Sequence, residues 1–246
     1  MNVRNLHPWD VDYRQAVGIQ EELRRLVSAA GGPQKLRWVA GADVSFSKSS
    51  PRIYAAVVAY DVVAQETVEA KTAFGESSFP YIPGLLSFRE APILLEAFRS
   101  LDITPDAVIL DGQGIAHPRR FGLASHIGLL LDVPTIGCAK TRLVGSFEEP
   151  GPNPGDYSPL MDGEDMLGAV LRTRKGVKPI FVSVGHKISL ERAIEVVLAC
   201  CTRFRLPEPT RRAHILTNRL REEAERGVGA GFVDAGRGGG NPKAGR

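Results

Sequence analysis

The sequence predicts an α/β fold whose central mixed sheet starts as an antiparallel three-strand meander and continues as parallel crossover strands, flanked by helices. Two observations predict it. Between Leu36 and Ala73, three strand-like segments follow one another with short links, as antiparallel neighbours do. Between Ala107 and Ala139, a buried-type strand, a short helix and another buried-type strand succeed each other, which is a parallel crossover unit. The 246 residues suffice for one sizeable core. A single domain is expected over 1–226, followed by a flexible Gly-rich basic tail over 227–246.

Composition narrows the class. Hydrophobic residues at 43% and charged residues at 24% are ordinary for a soluble globular protein. No apolar run reaches membrane-spanning length, and residues 1–12 carry no apolar signal segment, so a cytoplasmic protein without a membrane partner is expected. Cys138, Cys200 and Cys201 lack metal-like spacing and fit reduced thiols. The net charge is +3, of which Arg237, Lys243 and Arg246 against Asp234 place +2 in the tail. The rest is close to neutral, so global charge offers little support for nucleic-acid binding.

The elements follow in order. Asp12–Ala30 reads as an amphipathic helix with Ile19, Leu23, Leu26, Val27 and Ala30 as its stripe, stopped by Gly31-Gly32-Pro33. Leu36–Phe46 reads as a strand with Trp38, Ala40, Ala42, Val44 and Phe46 on one face and Val39, Gly41, Asp43 and Ser45 on the other. Asp43 therefore lies inside a strand, a costly place for an unpaired charge. Arg52–Tyr60 is nearly continuously apolar, and Glu66–Ala73 alternates like a more exposed strand. In the loop Phe74–Leu86, Pro80 and Pro83 bracket Tyr81 and Ile82 and stiffen their presentation. A helix to about Leu101 follows. Pro92 argues that it begins near Glu90 and that Ser87 and Glu90 do not form a capping box.

The run Ala107–Leu110 leads into Asp111-Gly112-Gln113-Gly114. A short helix spans Leu123–Leu131, and the strand Thr135–Ala139 runs into Lys140. Gly145–Asp165, rich in Pro, Gly and acidic residues, reads as an exposed loop. Met166–Thr173 and Ile180–Val184 read as strands, and Ser189–Cys201 as a helix. The last helix has Pro209 in its first turn and runs to about Arg226, with Ala213, Leu216, Leu220 and Ala224 as its core stripe.

If the first and fourth strands are neighbours, Asp43 and Asp111 converge at the sheet edge where open α/β sheets place ligands. Glu90 opens the intervening helix. Three carboxylates from separate elements are a means of holding Mg²⁺ for phosphodiester hydrolysis. Each residue has a plainer reading too. Asp43 can pair a buried cation, and Asp111 can make an Asp-Gly turn. Lys140 can be a solvated strand end. His214, with Arg211, Asn218 and Arg221 at helical spacing, can be a solvated face. Tyr81 can pack its loop onto the core.

Three blocks tip the balance: Gly41-Ala42-Asp43-Val44-Ser45-Phe46, Pro80 to Glu90, and Asp111 to Arg119. With Phe121 to His126 and Lys140-Thr141-Arg142-Leu143, they resemble the endonuclease V family, in order, over roughly Asp12–Glu225. The resemblance implies a ribonuclease H-like fold and a DNA repair endonuclease dependent on Mg²⁺, for which Mn²⁺ substitutes. Such an enzyme recognises a deaminated purine, chiefly hypoxanthine in deoxyinosine. It hydrolyses the second phosphodiester bond on the 3′ side, leaving a 3′-hydroxyl and a 5′-phosphate.

It further implies Asp43, Glu90 and Asp111 as metal ligands. Lys140 is implied at the scissile phosphate or attacking water, and His214 as an outer or intermittent ligand. Tyr81, with Ile82 and Pro83, becomes a wedge. Gly84, Leu86, Gly112, Leu123 and Leu143 line the pocket for the flipped base, with His117 and His126 as pocket or phosphate contacts. DNA containing deoxyinosine is the implied partner, and a monomer is expected. The rivals are an endoribonuclease for single-stranded RNA with inosine and a lesion-binding module without turnover. Three retained carboxylates argue against the module, because a pure binder has no use for negative charge beside phosphate.

Overall fold

The computed structural model describes residues 1–226. The tail expected over 227–246 lies outside the described residues. The strands are β1 (Trp38–Phe46), β2 (Arg52–Asp61), β3 (Glu66–Glu76), β4 (Ala107–Leu110), β5 (Thr135–Ala139), β6 (Tyr157–Asp162), β7 (Asp165–Leu171) and β8 (Ile180–His186). The helices are α1 (Tyr13–Leu23), α2 (Leu86–Arg99), α3 (Leu123–Leu131), α4 (Leu190–Cys200) and α5 (Glu208–Glu225). All strands join one eight-stranded sheet in the order β3-β2-β1-β4-β5-β8-β7-β6. β1, β2 and β3 form the antiparallel meander, while β4 and β5 extend it in parallel from β1. β8 and β7 then continue antiparallel.

Strand alternation sorts the side chains into two layers. Ala40, Ala42, Ala55, Val57 and Ala59 face α2 and α3, packing with Leu94, Phe98 and Ile127. These small sheet residues let the bulky helical ones sit close. On the opposite face, Val39, Ile109, Ile136 and Val182 pack with Ala193 and Val197 of α4, while Ala56 and Val58 meet Ala213 of α5. Gly41 is the closest approach of β1 to α5. A Cβ there would lie 2.2 Å from the backbone of Pro209 and Thr210, so only glycine admits the helix.

Three expectations need correction. α1 ends at Leu23 and is followed by one 3-10 turn at Arg24–Leu26, leaving Leu26 exposed. Its buried face is Ala16, Gln20 and Leu23, and it starts with a capping box between Asp12 and Gln15. α2 begins at Leu86, four residues before Glu90, and tolerates Pro92 inside it. As expected, Ser87 and Glu90 form no capping box; Ser87 lies within the helix and bonds His126. The stretch read as a loop over Gly145–Asp165 contains β6, whose Ser158 and Leu160 are buried in alternation. It turns into β7 through a two-residue link opened by Gly163 at φ 63°. No helix among the described residues is long and apolar enough to cross a membrane.

Candidate active site

The β1–β4 register builds the centre. Ala42 pairs with Leu110, so Asp43 and Asp111 follow side by side, and the Asp111 amide lies 3.4 Å from the Ala42 carbonyl. Because Ala40 and Ala42 face α2, alternation turns Asp43 toward α5. There Thr217 Oγ1 donates to Asp43 Oδ2 at 2.6 Å, and His214 Nδ1 lies 3.1 Å from the same oxygen. Ligand atoms of Asp43, Asp111 and His214 lie within 4.8 Å of one another. Lys140, at the end of β5, places Nζ 2.5 Å from Asp111 Oδ2. The Arg205 guanidinium holds the backbone behind it, donating to the carbonyls of Lys140 at 2.9 Å and Pro179 at 2.7 Å.

Glu90 comes in from the second turn of α2 and is 8% exposed. Burial pushes its carboxyl up to about 8, and the charges of Asp43 and Asp111 push it the same way. Asp43, also 8% exposed, is raised by burial against the lowering bond from Thr217, with the Asp111 charge adding to the rise. These carboxylates are desolvated and mutually repelling. Hard oxygen donors with one imidazole beside them, held against their own repulsion, fit a divalent cation. Glu90 stands outside the tightest group, whose ligand atoms belong to Asp43, Asp111 and His214.

A loop beside the centre presents Tyr81, which is 72% exposed. Ile82 is half-buried against Phe79, Leu85 and Phe88, Pro83 is exposed, and Leu86 is the first residue of α2. Gly84, at φ 79°, anchors the loop. Its carbonyl accepts from Gln20 Nε2 at 3.0 Å, His117 Nε2 at 3.0 Å and an Arg119 guanidinium nitrogen at 2.7 Å. A Cβ added at Gly112 would lie 3.5 Å from the Leu123 side chain, whereas Leu143 is exposed.

Two histidines differ from the expectation. His117 is buried, and its Nδ1 accepts the Arg119 amide at 3.2 Å, so its Nε2–H is the donor to Gly84. Burial first, then the Arg119 charge, pushes it down to about 4. It is a neutral brace for the loop, with both ring nitrogens engaged. His126 is 0% exposed, bonded to Ser87 Oγ at 3.0 Å and His7 Nε2 at 2.6 Å among the rings of Trp9, Phe88 and Phe121. Sealed in that cluster, it has no surface for a pocket or phosphate contact.

Sequence reasoning also missed Thr217 and Gln20. Each is a polar residue at a buried position of its helix, a mismatch that shows only once the helix is packed.

A carboxylate centre where β4 ends beside the middle of β1, on a ribonuclease H-like sheet, defines the class: a nuclease of that fold. A family model described as Endonuclease V matches residues 21–215. The chain belongs to the endonuclease V family. It is 49% identical over 220 residues to the endonuclease V of Dehalococcoides mccartyi, covering 89% of this chain and 99% of that one. The crystal structure of Streptomyces avermitilis endonuclease V superposes with TM-score 0.85 at 43% identity, covering 92% of this chain and 100% of that one. Ciona intestinalis endonuclease V, in complex with a 24mer DNA containing an inosine followed by a ribo-adenosine, superposes with TM-score 0.77 at 29% identity. That match covers 86% of this chain and 98% of the other.

Proposed function

We propose that this nuclease acts on DNA containing deoxyinosine and hydrolyses the second phosphodiester bond 3′ to the lesion, as a cytoplasmic monomer in the repair of deaminated purines. The observation that carries the reading is the convergence of Asp43, Glu90 and Asp111: the first two are buried, and the like charge of all three calls for a cation. Those three residues would hold Mg²⁺, or Mn²⁺ in its place, with His214 beside them. When bound, the cation neutralises charge on the scissile phosphate and makes a water nucleophilic at neutral pH.

The chain's own residues do the rest. Lys140 Nζ, now paired with Asp111, is placed to offset the negative charge that grows on the phosphate oxygens. Water oxygen bonds to phosphorus as the bond to O3′ breaks, leaving a 3′-hydroxyl and a 5′-phosphate. Tyr81, rigid between Pro80 and Pro83, fills the space vacated by the displaced base, offsetting part of an unstacking cost of a few kcal/mol. Gly84, Leu86, Gly112, Leu123 and Leu143 are the proposed lining of the base pocket.

The inosine-containing strand bound by the Ciona relative supports the substrate. The test is a Mg²⁺-dependent nicking assay on a duplex with one deoxyinosine. Asp43→Ala and Asp111→Ala should abolish nicking and leave lesion binding measurable; normal nicking by either sinks the metal assignment. The ribonucleotide after the inosine in that relative's strand favours a second reading, cleavage of inosine-containing RNA. Matched DNA and RNA strands distinguish the two, because a 2′-hydroxyl contact would favour the latter.

A further inference from the structure

The hydrogen bonds of α5 locate one proton at the centre. Asn218 has an amide nitrogen 3.0 Å from the His214 carbonyl, which can only accept, and an amide oxygen 3.1 Å from an Arg221 guanidinium nitrogen, which can only donate. The two contacts agree on which way the amide points. The same amide nitrogen lies 3.1 Å from His214 Nε2. A ring nitrogen facing an NH₂ group must accept, so the imidazole proton is on Nδ1, and Nδ1 lies 3.1 Å from Asp43 Oδ2. Oδ2 thereby receives both this N–H and the Thr217 hydroxyl, which leaves Oδ1 as the oxygen for a cation.

We propose that Asn218, oriented by Arg221, is a positioning residue that fixes His214 as its Nδ1–H tautomer donating to Asp43. His214 then serves the centre by orienting the Asp43 carboxylate and not as a ligand. The metal reading of Asp43 underlies the last step only; the tautomer stands on hydrogen bonding alone.

The test is the imidazole ¹⁵N–¹H correlation spectrum of the labelled, metal-free full-length chain at about pH 8, above the ordinary imidazole range. His214 is assigned by its loss in His214→Gln. Wild type is expected to show a protonated Nδ1 and a bare Nε2. Asn218→Asp keeps the size and Arg221's acceptor but offers His214 only acceptors, so a proton is expected to appear on Nε2. A protonated Nε2 in wild type, or a bare Nε2 in Asn218→Asp, overturns the proposal.

A second measurement follows melting temperature against Mg²⁺ concentration. Asn218→Ala is expected to raise the half-saturating concentration about tenfold, the usual cost of losing a group that orients a ligand. An unchanged value overturns the orienting role. No Mg²⁺-induced shift in wild type overturns the metal reading instead, and leaves the tautomer result intact.

Discussion

At the scale of single residues, Glu90 makes the centre's electrostatics measurable. Its carboxyl keeps its proton up to about 8 in the fold, whereas the unfolded chain releases it near the model-compound value of 4.5. Between those limits the folded state binds more protons, so stability falls as pH rises. The metal-free chain should therefore lose on the order of a few kcal/mol of stability from about pH 5 to pH 8, seen as a falling melting temperature. Glu90→Gln should flatten that slope; an equal slope in both would refute the assignment. Thr217→Val keeps shape and removes the donor to Asp43. It should cost about 1–3 kcal/mol of stability and lower Mg²⁺ affinity about tenfold, read from chemical denaturation and from nicking against Mg²⁺ concentration. Asp43 was legible in the sequence because a charge in mid-strand demands a reason. Thr217 was not, since threonine in a helix is common and its partner lies in a distant strand.

At the scale of elements, the contact between β1 and α5 decides where His214, Thr217 and Asn218 stand. Gly41 is its pivot, because any side chain there meets the backbone of Pro209 and Thr210. Gly41→Val should lower stability by about 1–3 kcal/mol or more and depress nicking with it, since the whole helix must shift. Native melting with native activity would show that α5 tolerates displacement. The last helix was legible as a helix, down to Pro209 in its first turn. Its orientation was not: Arg211, His214, Asn218 and Arg221 form a polar face that reads equally well as solvated until Gly41 brings the helix onto the sheet. The start of α2 failed for a different reason. Pro92 reads as a barrier close to a helix start, yet tertiary packing of Phe88 and Leu85 carries the helix back to Leu86. The strand β6 was hidden by loop-like composition, although its Asp162-Gly163 pair was a hairpin signal in plain sight.

At the scale of the whole molecule, the site draws on β1, α2, β4, β5 and α5, so it exists only when the complete sheet and its flanking helices are assembled. The meander and the crossover bring Asp43 beside Asp111 on the condition that β1 and β4 are neighbours, which the sheet order meets. The cost of this arrangement falls on the metal-free fold. Mg²⁺ should raise the melting temperature of the wild-type chain, as any ligand of the folded state does. The double variant Asp43→Asn/Asp111→Asn should melt at or above the metal-free wild type and show no Mg²⁺ response. A double variant that melts lower would mean that the carboxylates stabilise the fold without a cation.

The Gly84 carbonyl ties the Tyr81 loop to α1 through Gln20 and to the segment after β4 through His117 and Arg119. None of these three side chains bonds to Asp43, Glu90 or Asp111. On the reading proposed for the Tyr81 loop, lesion choice and bond cleavage rest on different side chains. An engineer could retune which damaged bases are accepted by editing Gln20 and its neighbours on a peripheral helix, while leaving the cutting chemistry as it is.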